Sequence, residues 1–206
     1  MKKFIKIAVF VLVITALICC ASCDNNVNEI VGKWETKIPH TVLAANQDKG
    51  NEPYMDYVNF ENVYKRQVYE FDEDGVYKMT VYVDEYIDLY KEAVYEGIRQ
   101  YYISEIQTNN LDSTVEELFE RDGITKESIT LDDKAMERLQ KEKYSEGNYL
   151  IGQGRLYRSA SKEYDVDESI YMEYEITNGN LVFKNQVGGN VVAFSTLFPL
   201  LFKKIG

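Results

Sequence analysis

Residues 170–183 read Ile170-Tyr171-Met172-Glu173-Tyr174-Glu175-Ile176-Thr177-Asn178-Gly179-Asn180-Leu181-Val182-Phe183. Ile170, Met172, Tyr174 and Ile176 alternate with Tyr171, Glu173 and Glu175. Successive side chains of a strand point to opposite faces, so this segment is a strand with one dry and one wet face. Asn-Gly tolerates the two successive left-handed conformations that a two-residue hairpin turn demands. Leu181 to Phe183 is therefore expected to return antiparallel.

The same pattern appears upstream. Gln67 to Phe71 and Val76 to Val83 flank Asp72-Glu73-Asp74-Gly75, whose Asp-Gly ending is a strong turn signal. Tyr69 and Phe71 share one face of the first segment; Tyr77, Met79, Val81 and Val83 share one face of the second. Tyr149 and Ile151 lead through Gly152-Gln153-Gly154 to a further strand, Leu156 to Arg158. Ile30 to Glu35 reads as the first strand and holds the only Trp, Trp34; Leu200 to Lys204 reads as the last. Pro39 to Pro53 is loop-like, Ser159 to Asp167 is a charged loop, and residues 54–66 are ambiguous, with Tyr57, Phe60 and Tyr64 able to share a short helical face.

Between the first hairpin and the later strands the period changes. From Asp84 to Thr108 the apolar residues Ile87, Tyr90, Val94, Ile98 and Tyr101 fall three or four apart, a helical stripe. Ser113 and Thr114 precede Glu116 and Glu117 at capping-box spacing, which predicts a short helix ending at Gly123. A third helix is expected from Leu131 to Lys143, capped by Thr130 and presenting Leu131, Ala135 and Leu139. Residues 84–143 thus form a helical block of about sixty residues.

The chain opens Met1-Lys2-Lys3-Phe4-Ile5-Lys6, followed by an uncharged apolar run from Ile7 to Ile18 and the small residues Cys19, Cys20, Ala21, Ser22 and Cys23. A basic start, a short apolar stretch and small residues make a secretory signal, and the run is too short for an ordinary spanning helix. All three Cys lie here, so none is left for a disulfide within the folded domain. The end of the segment resembles a bacterial lipoprotein signal, which implies acylation of Cys23, with Cys20 the weaker candidate and plain secretion, cleaved near Ser22, the alternative. The expected organisation is a signal over 1–22, a tether over 23–29 and a folded domain over 30–206. Two or three acyl chains would hold the protein stably at a membrane.

Composition bounds the rest. The 206 residues carry 23 basic and 34 acidic side chains, a formal charge of −11. Losing Lys2, Lys3 and Lys6 with the signal leaves 20 basic residues against 34 acidic ones, or −14. So acidic a surface argues against nucleic acid as a partner. With 45% apolar and 13% aromatic residues the chain is globular rather than disordered.

The order of motifs resembles the lipocalin-like domains of bacterial lipoproteins. Val31-Gly32-Lys33-Trp34 stands near the start of the mature chain, Phe71-Asp72-Glu73-Asp74-Gly75-Val76-Tyr77 in the first hairpin, and Tyr174-Glu175-Ile176-Thr177-Asn178-Gly179-Asn180-Leu181 near the end. Phe202-Lys203-Lys204-Ile205 would close the sheet. The resemblance covers about half of the mature chain. It implies a mainly β fold, an antiparallel lipocalin-like β-barrel, here with the helical block inserted after the first hairpin (α+β overall). It also implies that Trp34 plugs the closed end, and that Tyr69, Phe71, Tyr77, Met79, Met172 and Tyr174 either fill the interior or line a pocket for a small apolar ligand.

No catalytic constellation emerges. His40 is the only His, follows Pro39 in a loop and has no nucleophile motif such as Gly-x-Ser-x-Gly nearby, so it reads as a packing residue. One His and no domain Cys cannot supply a usual zinc site. Asp72-Glu73-Asp74-Gly75 and Asp165-Val166-Asp167-Glu168 lack the twelve-residue calcium loop. Gly152-Gln153-Gly154 lacks the third Gly and following helix of a phosphate loop. The expectation is a non-enzymatic protein with no metal and no cofactor. Its expected partners are the membrane, through the lipid, and either a small apolar ligand or another envelope protein. The second alternative would use Tyr86, Tyr90, Tyr95, Tyr101 and Tyr102 of the long helix as a docking face, unless those rings serve packing instead.

Overall fold

A computed structural model of the chain describes residues 27–44, 52–189 and 197–206. Its strands are β1 (Gly32–Pro39), β2 (Tyr64–Phe71), β3 (Val76–Val81), β4 (Tyr144–Gly152), β5 (Arg155–Arg158), β6 (Tyr171–Thr177), β7 (Asn180–Val187) and β8 (Leu200–Ile205). Each pairs antiparallel with the next in sequence, and β8 pairs back with β1, closing a barrel. The helical block, α3 (Val83–Asn109), α4 (Val115–Asp122) and α5 (Asp133–Glu142), lies between β3 and β4, directly after the first hairpin. This matches the expected mainly β barrel with a helical insertion, and the topology is compatible with a lipocalin-like fold. Single turns of helix, α1 (Val27–Ile30) and α2 (His40–Leu43), flank β1, and a 3-10 turn spans Pro53–Tyr57. No helix among the described residues is long and apolar enough to cross a membrane.

Local chemistry makes the hairpins. Asp72 Oδ1 accepts the N–H groups of Asp74 (3.1 Å) and Val76 (2.8 Å), and Gly75 takes φ +81°. Gln153 and Gly154 turn β4 into β5 with φ 54° and 72°, and Asn178 and Gly179 turn β6 into β7 with φ 53° and 73°. Two successive left-handed residues are what a hairpin turn matched to the strand twist requires.

Several element bounds differ from the sequence reading. Ile30 ends α1 rather than starting β1; its carbonyl accepts the Trp34 indole N–H at 2.6 Å, so the turn folds beneath the barrel. Tyr64 opens β2 instead of sharing a helical face with Tyr57 and Phe60. Val83 begins α3, because the strand pairing of β2 with β3 stops at Val81. Helix α5 is capped by Asp132, whose carboxylate accepts the Ala135 N–H at 2.9 Å, not by Thr130. No residue of α5 is buried, so its apolar face is not a core face. Strand β7 runs on past Phe183 to Val187, because a register shift opposite Glu173 and Tyr174 interrupts its alternation at Lys184.

The barrel interior and the helical block have separate cores. Trp34, Tyr69, Phe71, Tyr77, Phe183 and Phe202 anchor the first, and Val94, Ile98, Val115, Phe119 and Ile129 anchor the second. Burying one such large side chain contributes about 1.5–3 kcal/mol. The block is joined to the barrel by polar contacts. Arg66 on β2 donates to Glu85 of α3 (2.7 Å) and Glu35 of β1 (3.4 Å), with its guanidinium 3.3 Å above the Tyr82 ring. Lys65 of β2 pairs with Glu142 of α5 at 2.6 Å, and within the block Lys143 pairs with Asp84 at 3.1 Å.

Candidate functional site

The inward face of the barrel changes character along its axis. Towards the Gly32 end, the six residues Trp34, Tyr69, Phe71, Tyr77, Phe183 and Phe202 are all buried. Their rings pack on one another: Tyr69 lies 5.6 Å from Phe71, 5.7 Å from Phe183 and 5.6 Å from Phe202. Phe71 meets Tyr149 at 5.1 Å. Trp34 pairs with Tyr69 in this layer, and the Lys204 ammonium lies 5.2 Å from its ring.

Towards the helical block the inward positions are mixed: Thr36, Ile38 and Val81 stay buried, whereas others are partly exposed. Strand alternation continues the interior from Tyr69 to Gln67, from Tyr77 to Met79, from Leu156 to Arg158 and from Phe202 to Leu200. Gln67, Met79, Arg158 and Leu200 are each half-buried, unlike the positions below them. A barrel whose lower half is a solid aromatic layer thus opens into a partly polar mouth.

Among the described residues β8 pairs with β1 over Lys33–Glu35, and Thr36 to Pro39 pair with β2. A cleft of about 600 Å³ opens there, lined by Thr36, Ile38, Pro39, Val42, Leu197, Pro199 and Leu200, with Glu35, Lys37, Leu201 and Lys203 at its outer edge. That volume lies within the range of small-molecule sites.

Of the sequence-derived residues, Tyr69, Phe71, Tyr77, Met172 and Tyr174 are brought together in one buried cluster, and Met79 packs against it from above. None of the six lines the 600 Å³ cleft. Cys23, with the signal and most of the tether, lies outside the described residues. The residues of the mouth that sequence reading missed are Thr36, Ile38 and Arg158. Alternation with Trp34 and with Leu156 would have placed all three inward.

The Tyr-rich face of α3 is engaged in packing. The Tyr86 hydroxyl is 2.8 Å from His40 Nδ1, and burial raises its pKa to about 12. Tyr90 stacks on Phe60 at 5.7 Å, Tyr95 and Tyr102 meet Phe119 at 5.3 and 5.5 Å, and Tyr101 meets Tyr57 at 5.9 Å. The Tyr102 hydroxyl donates to Asp122, whose carboxyl is held down to about 2 by Arg121 first and by Tyr102 second. Among the described residues no three His, Cys, Asp or Glu side chains converge as a metal site would require.

Compared with protein-family models, with curated proteins and with solved structures, the chain matches none.

Proposed function

We propose that this is an exported, lipid-anchored envelope protein of lipocalin-like type that performs no catalysis and takes a small apolar molecule at the mouth of its barrel. The cleft beside Thr36, Ile38 and Leu200 carries the reading, because it offers about 600 Å³ of space with apolar side chains along the upper part of β1 and the start of β8. The buried aromatic layer fills the interior towards the Gly32 end, so a ligand would sit in the cleft rather than deep in the barrel. The basic start, the apolar run and Cys23 support export and acylation. A domain charged as strongly negative as this one is repelled by anionic lipid surfaces, so attachment falls to the acyl chains.

Two measurements test this. Mass spectrometry of the mature N-terminus is expected to find an acylated Cys23; an unmodified Cys23, or a chain starting at Asp24, overturns the anchor. Titration with a neutral, environment-sensitive naphthylamine dye is expected to show one saturable site that Leu200→Gln, at a partly exposed position of the cleft, weakens with an unchanged circular dichroism spectrum. Failure of the dye to bind, or binding indifferent to Leu200→Gln, overturns the ligand site.

A further inference from the structure

One imidazole joins the cleft wall to the helical block. Pro39 and Val42 both line the cleft. His40 stands between them and opens the single turn α2. No residue of that turn is buried, so hydrophobic packing holds it only weakly. Among the described residues its hydrogen bonds to the rest of the molecule run through His40. The His40 N–H donates to the Val63 carbonyl at 2.8 Å, and Nδ1 lies 2.8 Å from the Tyr86 hydroxyl of α3. The ring sits 4.3 Å from Phe60, 5.6 Å from Tyr90 and 6.0 Å from Tyr86.

These surroundings favour an uncharged ring. Tyr86, whose pKa burial raises to about 12, keeps its proton and donates it to an unprotonated Nδ1. A protonated Nδ1 reverses that bond, and the new charge then stands among Phe60, Tyr86 and Tyr90. Burial raises the pKa of Tyr90 as well, so both phenols stay neutral. The nearest acids act on the phenols: Glu142 of α5 on Tyr86, and Asp132, the α5 cap, on Tyr90. Glu142 is itself paired with Lys65 at 2.6 Å. Glu61, next to Phe60, is exposed and bonded to Asn59. Among the described residues no carboxylate is hydrogen-bonded to the imidazole, and burial alone shifts its titration.

We propose that His40 is a pH-sensitive latch on the cleft: as a neutral ring it seats α2 against α3 and keeps Pro39 and Val42 in the cleft wall, and its protonation unseats them and weakens ligand binding. This rests on the ligand reading given above and adds its regulation by acid. Burial lowers the pKa of His40 from 6.5, so the latch is closed above pH 6.5 and opens as the pH falls from there through the lower folded-state value. Linkage is reciprocal: a ligand that favours the neutral ring pushes the titration of His40 lower still.

The test uses the intact mature protein and the neutral naphthylamine dye. Between about pH 7.5 and about pH 5, which spans the imidazole titration, the dye affinity of the wild type is expected to fall roughly threefold or more, with an unchanged circular dichroism spectrum. His40→Phe is expected to flatten that fall. NMR titration of the His40 ring in the wild type, which needs no variant, is expected to give a lower midpoint with the dye saturating than without it. Dye affinity indifferent to pH, a fall that persists in His40→Phe, or one His40 midpoint with and without dye each overturns the latch and leaves the ligand site standing. Failure of the dye to bind the wild type at neutral pH overturns the ligand reading itself, and this inference with it.

Discussion

His40 Nδ1 lies 2.8 Å from the Tyr86 hydroxyl, and this contact joins the turn that ends β1 to the long helix α3. The imidazole is also 4.3 Å from the Phe60 ring and 5.6 Å from Tyr90. Burial among these rings lowers the pKa of His40 from its ordinary 6.5. The folded state thus favours the neutral ring. That contribution to stability is full above pH 6.5 and is lost as the pH falls from 6.5 through the lower folded-state value. His40 is the only His, so NMR titration of its ring carbon reads it without overlap. The expected midpoint is below 6.5, and His40→Phe should flatten the fall in denaturant stability across that window. A midpoint at or above 6.5 would contradict the burial argument.

Phe202 is fully buried, with Tyr69 and Phe183 against it at 5.6 and 4.9 Å. Phe202→Ala leaves a cavity in the aromatic floor that strands on every side prevent from collapsing. The expected loss is about 3–5 kcal/mol, read by urea unfolding. A loss below about 1 kcal/mol would show that the floor is loosely packed.

Gly97 sits mid-helix in α3, where replacement by Ala ordinarily gains about 1 kcal/mol. Here the sign should reverse. A Cβ at this position would overlap Val58 Cγ2 and come within 3.0 Å of the Val58 Cα, which is backbone and cannot rotate away. Gly97→Ala is expected to lower the melting temperature, and the double change Gly97→Ala with Val58→Ala to recover only part of the loss. A stabilised single variant would mean that the segment after the 3-10 turn does not lie on α3.

Thr114 and Glu117 form a reciprocal capping box. The Glu117 N–H donates to the Thr114 hydroxyl (3.2 Å) and the Thr114 N–H donates to the Glu117 carboxylate (2.8 Å). Thr114→Ala is expected to cost about 1 kcal/mol. Hydrogen exchange should show the loss first in α4, with the barrel amides unchanged, because the two cores share no anchoring residue.

The parts of the fold legible in the sequence are those set by local rules. The Asp72–Gly75, Gln153-Gly154 and Asn178-Gly179 turns, the Thr114 box and the left-handed stops at Asn110 and Gly123 each depend on the few residues that form them. Alternation told inside from outside along β6, and the same rule applied to Trp34 and Leu156 reaches the mouth residues Thr36, Ile38 and Arg158. Element ends were less legible. Whether Val83 continues β3 or starts α3 depends on where β2 stops pairing, and the extension of β7 depends on a register shift at Lys184.

The sequence alone determined an acidic chain made of hairpins around a helical block, since periodicity, turn chemistry and charge act over short spans of chain. Three things were decided only in three dimensions. Among the described residues, pairing of β8 with β1 over Lys33–Glu35 closed the barrel, and a cleft lies beside Thr36. Convergence of rings from β2, β7 and β8 turned one half of the interior into a solid floor. Closure of the barrel then set Arg158 of β5 on Tyr69 of β2, 89 residues away in the chain. No spacing along the chain encodes such a meeting, because it is fixed by which strands face each other across the barrel.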